Sequence, residues 1–216
     1  MIQRDDHCLF RILAAETRLA HVFTTRRFAG DAAVSPEGRA EMAARLLGRF
    51  FPGAVAAAWG GQVHGVGVAV VRDGLCGERP GADALVTGEA GVCLVAFGAD
   101  CPVVFIADGR SGAVGIAHSG RRGTEGGVVT ACIETMGREF GTRAADCACA
   151  ISPSIGPCCY PVDLWARIEG ELRSLGATRV ENPRACTSCR PGDFFSYRRD
   201  RGARGRMAGA LMIAAR

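Results

Sequence analysis

Lysine is absent: all 26 basic residues of the 216-residue chain are arginine. That excludes Schiff-base catalysis and any phosphate-binding loop built around a Walker lysine. The pattern reads as genome base composition rather than function. Long apolar runs are also missing. No stretch of 18 or more apolar residues occurs, so a membrane-spanning helix is not expected, although hydrophobic residues make up 48% of the chain and are ample for a core. The opening stretch MIQRDDHCLFRILAAE carries charges where a signal peptide would place its apolar region, so the chain reads as cytoplasmic. No low-complexity linker and no fixed-period repeat is present, and one domain spanning residues 1–216 is the simplest organisation. A net charge of +4, with arginines interspersed among acids, gives no reason to expect nucleic-acid binding. Even the cluster RRDRGARGR, residues 198–206, reads as a solvated or ion-paired segment.

Cysteine, by contrast, is plentiful, with 11 residues. Without a secretory signal they are expected as reduced thiols. Cys93, Cys132, Cys147 and Cys149 sit among small apolar residues and read as buried hydrophobes. Cys186 and Cys189 in CTSC have the spacing of a metal knuckle, but no second pair lies at a matching distance, so the pair is not read as a zinc site.

The alternation of patterns along the chain indicates a mixed α/β fold. SPEGRAEMAARLLGRF has helical spacing with a Ser-Pro-Glu start that suits an N-cap and first turn. Between Val55 and His118 come short β-like runs separated by glycines, among them ADALVT, GVCLVAF, PVVFIAD and GAVGIAH. GGVVTACIETMGREF then reads as an amphipathic helix, CACAIS as a buried strand and VDLWARIEGELRSLG as another helix. GRMAGALMIAAR at the end reads as helical. Nearly continuous apolar strands point to a sheet covered on both faces by helices.

Three candidate ligands stand at strand ends: His64 in WGGQVHGVG, Cys101 in AFGADCPVVF and His118 closing GAVGIAH. Neighbouring strands bring their ends to a common edge, where two imidazoles and a thiolate would make a three-ligand zinc site open to water. Zinc would lower the pKa of that water toward ~7. The same residues support a second reading, with Cys101 as nucleophile and His118 as its base. The residues alone leave both open. His7 and His21 lack comparable settings and read as ordinary surface or core histidines. After His118, SGRRGTEGG leads into a helix. Its backbone N–H groups and dipole favour an anion, to which Arg121 or Arg122 could add a bidentate contact. A tight turn with its arginines in water is the plainer alternative.

The motifs QVHG, DALVTGEAGVCLVAFGADCPVVFIAD, AVGIAHSGRRG, SIGPCCYPV and DFFSYRRDRGARGRMAGAL, in that order, resemble the family labelled polyphenol oxidase or laccase-domain protein. Its members include bacterial purine nucleoside phosphorylases and peptidoglycan editing factors. The resemblance implies a three-layer α/β domain with mixed sheets. It also implies zinc held by His64, Cys101 and His118, and cleavage of adenosine, inosine and methylthioadenosine by phosphate, with deamination of adenosine besides. It places phosphate on the glycine-rich loop at Gly123 with Arg122, and Arg26 and Gln62 at the substrate. Asp100 is either an acid/base or a support for its neighbour Cys101. The chain departs from the family pattern at three places: Arg121 stands where tryptophan is usual, Gly98 where threonine is usual, and TTRRFAGDAAVSPEGRAEM keeps Arg26 but lacks the family's Ser-Leu-Asn-Leu stretch. A multicopper laccase is excluded by count, because four histidines are too few for several coppers. The alternatives are a cysteine hydrolase editing cell-wall precursors, with Cys101 and His118, and a non-catalytic binding module that keeps the metal for stability.

Overall fold

The computed structural model describes residues 1–29, 36–72, 76–202 and 205–214. Its strands form two mixed sheets. The first has the order β1 (Ile2–Gln3), β2 (His7–Leu9), β3 (Leu19–Thr24), β13 (Met207–Ile213), β8 (Val92–Gly98), β4 (Ala56–Gly60), β6 (Gly77–Arg79). The second runs β12 (Arg179–Glu181), β11 (Cys147–Ile151), β9 (Val103–Asp108), β10 (Val114–His118), β7 (Ala84–Thr87), β5 (Val68–Val70). Six α-helices accompany them among the described residues: α1 (Arg11–Ala14), α2 (Arg26–Ala29), α3 (Pro36–Phe50), α4 (Arg121–Gly126), α5 (Val128–Phe140) and α6 (Leu164–Ser174). The α/β class with mixed sheets flanked by helices is therefore the one the chain adopts.

A period of two explains the stacking. In the second sheet Val103, Phe105 and Ala107 of β9, Val114 and Ile116 of β10 and Ala148 and Ala150 of β11 face the first sheet and share its core. The alternate residues Val104, Ile106, Ala117, Cys147, Cys149 and Ile151 form a second core with α5 and α6. Both faces are thus apolar, as continuous hydrophobic strands require. One cover is the other sheet rather than a helix, which corrects the expectation of helices on both faces. Phe105 is fully buried between the sheets, and its truncation to Ala would cost about 3–5 kcal/mol.

Helix α3 turns Met42, Ala43 and Leu46 into the first core at helical spacing. The expected N-cap, Ser35, lies outside the described residues. Helix α6 is capped by Asp163, whose carboxylate accepts the Ala166 N–H at 3.0 Å. All 11 cysteines are free thiols, and Cys93, Cys132, Cys147 and Cys149 are buried as expected.

The C-terminal segment was expected to be helical and is instead β13, hydrogen-bonded between β3 and β8 in the middle of the first sheet. Ala, Leu and Met favour helices in isolation, but every residue of Met207–Ile213 is buried. An all-round apolar segment has no solvent stripe to offer as a surface helix, and the gap between two strands is satisfied only by a third.

Candidate active site

The chain crosses from the first sheet to the second three times: between β4 and β5, between β6 and β7, and between β8 and β9. These crossovers carry His64, Asp83 and Cys101, and β10 ends beside them on His118. One ligand atom from each of His64, Cys101 and His118 lies within 4.8 Å of the others. His64 Nε2 stands 3.9 Å from Cys101 Sγ, and the two imidazoles meet edge-on, with centroids 4.8 Å apart. The three residues expected at strand ends therefore meet in space.

Asp83 organises them, and the sequence reading missed it. It is buried at 2% exposure. One carboxylate oxygen accepts His118 Nδ1–H at 2.9 Å and the His64 N–H at 3.0 Å, while the other accepts the Gly65 N–H at 2.7 Å. Its carbonyl accepts the His118 N–H at 2.8 Å. Binding Nδ1 leaves the opposite nitrogen, Nε2, to face Cys101 and His64, the arrangement of a ligand-orienting carboxylate. The available signal was a lone acid opening the apolar run ADALVT, where a strand residue needs no charge.

Burial works against charge on all three groups, and the hydrogen bonds outweigh it. The Cys101 thiol, despite burial, is drawn down to about 6 by hydrogen bonds with His118 and His64. His118, equally desolvated, is raised to about 9 by Asp83 and then Cys101. Asp83 is held below the ordinary carboxylate range by His118 and the backbone donors in spite of its burial. Cys101 and His118 are thus set as a thiolate beside an imidazolium, a pairing that suits a nucleophile and that becomes a metal ligand pair when His118 gives up its Nε2 proton.

Backbone strain concentrates here. Gln62, His64 and Asp100 have φ of 53°, 62° and 86°, in the left-handed region that non-glycine residues rarely occupy. Gly120 follows His118 at the start of α4, and a Cβ there would meet His64 Cδ2 at 2.8 Å and Cys101 Sγ at 3.0 Å. Only glycine leaves room for the trio. At Gly98, where the family usually has threonine, a Cβ would meet the Cys101 carbonyl at 2.7 Å.

A cavity of about 700 Å³ opens over the trio, within the range of small-molecule sites. Phe97, Ile155, Leu164, Tyr160 and Tyr197 supply its apolar and aromatic lining, and Arg39, Arg121, Arg198, Arg201 and Arg206 its cationic one. Arg198 lies over the Tyr160 ring at 5.1 Å and Arg206 over the Tyr197 ring at 5.5 Å. Of the segment expected to be solvated or ion-paired, Arg199 does pair with Asp200 at 2.7 Å, but Arg198, Arg201, Gly202 and Arg206 line the site, because β13 docks centrally and draws them over the strand ends.

The other expected contacts fall differently. Arg122 donates to the Val63 carbonyl at 3.1 Å and is not on the cavity wall, whereas Arg121 is. The first turn of α4 aims successive side chains about 100° apart, so only one of the pair can face the cavity. Gly123 also lies off the wall. It lets α4 pack against Gly65, whose carbonyl a Cβ would meet at 3.0 Å. Arg26 stacks on Phe195 at 4.8 Å, donates to the Pro191 carbonyl and does not line the cavity. Gln62 lines it, yet its Nε2 donates to the Phe97 carbonyl at 2.7 Å and its Oε1 accepts the Phe97 N–H at 2.9 Å. Its amide clamps the end of β8. Asp100 accepts from Thr187 Oγ1 at 2.6 Å, Ser196 Oγ at 3.0 Å and the Arg198 N–H at 2.7 Å, so both of its oxygens are engaged.

The family model described as multi-copper polyphenol oxidoreductase laccase matches residues 30–163 and 161–214. A purine nucleoside phosphorylase of Streptomyces griseus is 36% identical over 213 residues, which take in 85% of this chain and 84% of that protein. One from Geobacillus stearothermophilus is 35% identical over 189 residues, 68% of each. Among solved structures, YlmD of Geobacillus stearothermophilus superposes with a TM-score of 0.85 at 25% identity, covering 100% of this chain and 98% of its own. The hypothetical protein YfiH of Bacillus licheniformis shares the fold, with a TM-score of 0.86 at 22% identity and 97% of each chain covered. With the match running from residue 30 to residue 214, the chain belongs to the multi-copper polyphenol oxidoreductase laccase family.

Proposed function

We propose that this chain is a zinc-dependent purine nucleoside phosphorylase that also deaminates adenosine, acting as one unit over residues 1–216 on adenosine, inosine and methylthioadenosine. The observation that carries the reading is the meeting, in one cavity, of the His64–Cys101–His118 trio with an arginine wall and two tyrosines. The phosphorylase names of the two relatives support it. Two imidazoles and a thiolate, with Asp83 behind His118, make a donor set suited to zinc. When bound, zinc supplies a Lewis-acid charge on the cavity floor.

The chain's own groups do the rest. Tyr160 and Tyr197 offer ring faces to a purine. Arg121 and Arg198 offer charged donors to phosphate, whose oxygen would attack C1′ of the ribose as the purine leaves with the bonding electrons. Asp100 is a positioning residue that ties the Arg198 backbone to the Cys101 turn. Deamination replaces the amine at C6 with water and needs no phosphate.

Multicopper oxidation has too few imidazoles to work with. His7 is bonded to Asp6, and His21 Nε2 accepts the Phe10 N–H at 2.8 Å, leaving two histidines at the site. A second reading, a cysteine hydrolase of cell-wall precursors, is favoured by one observation: Cys101 Sγ lies 3.9 Å from His64 Nε2 and beside His118, a setting that draws the thiol below its ordinary range.

Incubation of zinc-loaded protein with adenosine and phosphate tests the assignment. Adenine reports phosphorolysis, inosine reports deamination, and hypoxanthine reports both in sequence. Omitting phosphate should abolish adenine and leave inosine. No turnover in the metal-loaded protein would overturn the reading. Turnover of a cell-wall precursor that survives chelation and dies on alkylation would establish the hydrolase.

A further inference from the structure

A second group of metal donors lies outside the cavity. The Cys186–Cys189 pair, which lacks a partner pair in sequence, receives one in space. Cys158 and Cys159, from the turn that follows Ile155, face it, and all four Sγ atoms lie within 4.8 Å of one another. Cys189 Sγ is 3.5 Å from both Cys158 Sγ and Cys159 Sγ. Four thiolates ~2.3 Å from a tetrahedral zinc sit about 3.8 Å apart, whereas a disulfide needs ~2.05 Å. The spacing matches the edges of the tetrahedron and not a bond between sulfurs.

The backbone is set for it as well. Ser154 bridges to Cys186, with Ser154 N–H donating to the Ala185 carbonyl and Thr187 N–H to the Ser154 carbonyl, each at 3.1 Å. These bonds align the two cysteine segments. The Gly156 N–H donates to Cys186 Sγ at 3.3 Å, a contact that favours thiolate. Arg199 donates to the carbonyls of Thr187 and Ser188, placing a cation within the CTSC turn.

There is a structural need for a staple here. Residues 182–206 join β12 to β13 and, where described, have only the isolated bridge at Cys186 as regular structure. An irregular connection of that length is normally held by something. It carries Thr187, Ser196 and Arg198, the three donors to Asp100.

We propose that Cys158, Cys159, Cys186 and Cys189 bind a structural zinc ion, distinct from the His64–Cys101–His118 trio. The ion takes four sulfurs and leaves no open position, so its role is to pin the arginine wall. Each thiol gives up its proton on binding, and the site empties as pH falls.

The test uses the full chain, purified under reducing conditions and loaded with zinc. Zinc content is expected to fall by one ion per chain in the Cys186→Ser/Cys189→Ser variant and not to fall further on chelation at that site. Cobalt substitution of the wild type should show intense sulfur-to-metal charge transfer that largely persists in His64→Ala/Cys101→Ala, whereas the cysteine variant should keep only the weaker band of the single Cys101 thiolate. Because the double variant could fail to fold, a second measurement is made on the wild type. The exposed thiols of Cys158 and Cys189 should resist alkylation until a chelator is added. Unchanged zinc content in the cysteine variant, immediate alkylation of both thiols in zinc-loaded protein, or a mass showing a disulfide in their place would each overturn the site. The readout is metal and thiol content, so it stands or falls independently of the catalytic reading.

Discussion

The two walls of the cavity are built in different ways. The strand-end wall carries His64, Asp83, Cys101 and His118 on short crossovers between hydrogen-bonded sheets, with a shared core beneath. The opposite wall carries Tyr197, Arg198, Arg201 and Arg206 on a connection with almost no regular structure. It is held by side chains instead: Asp100 gathers three donors from it, and Arg199 bonds to the carbonyls of Thr187, Ser188 and Phe194. Backbone ladders place the reacting centre, where an error of an ångström matters most. Side-chain ties place the binding wall, which tolerates adjustment to the ligand. Asp100 connects the two, since it precedes Cys101 in the strained turn and holds the loop wall by its carboxylate.

The comparison is broken most severely at the strand-end wall. Cys101→Ala removes one donor of three, and activity should fall by well over ~100-fold with zinc retention weakened. Assay and metal content are read together; full zinc at the trio in a His64→Ala/Cys101→Ala variant would refute the ligand assignment. Asp83→Asn keeps the shape but weakens the acceptor that orients His118, so activity or metal affinity should drop by about 10–100-fold. A change below about twofold would return Asp83 to a purely structural role.

The loop wall should separate the two reactions. Arg121→Ala is expected to lower phosphorolysis about tenfold or more while deamination falls much less, because only the former binds phosphate. Arg122→Ala, whose guanidinium is engaged with the Val63 carbonyl, should alter the ratio of the two rates little. The reverse ranking would show that the helix presents its second arginine to the substrate. Thr187→Val removes one donor to Asp100 and should cost about 1.5–3 kcal/mol of stability, seen in chemical denaturation, with zinc at the trio retained.

An effect confined to acid pH concerns neither wall. His21 is buried, and desolvation lowers its pKa to about 4 from an ordinary 6.5. The folded state therefore binds fewer protons than the unfolded state below pH 6.5. Its contribution is complete above that pH and is lost as pH falls toward 4, up to about 3 kcal/mol. His21→Gln should flatten the stability profile in that window; an unchanged slope would mean that other groups set it.

The sequence alone determined the α/β class, the strand run from Val55 to His118 and the three residues whose positions at strand ends made them candidates. Those features are local: an apolar period, a glycine break and a polar residue at a run's end need no knowledge of neighbours. Composition likewise determined that copper ligands are too few. Tertiary structure decided what depends on partners distant along the chain. It placed Met207–Ile213 as a strand, because only the vacancy between β3 and β8 overrides its helical propensity. It turned Arg121 rather than Arg122 toward the cavity, and drew Arg198, Arg201 and Arg206 from apparent tail to binding wall. It also made Asp83 the hub of the trio, and gave Cys186 and Cys189 a partner pair about thirty residues away. A hydrogen bond or a metal tetrahedron is satisfied in space, and spacing along the chain carries no record of where the chain will meet itself.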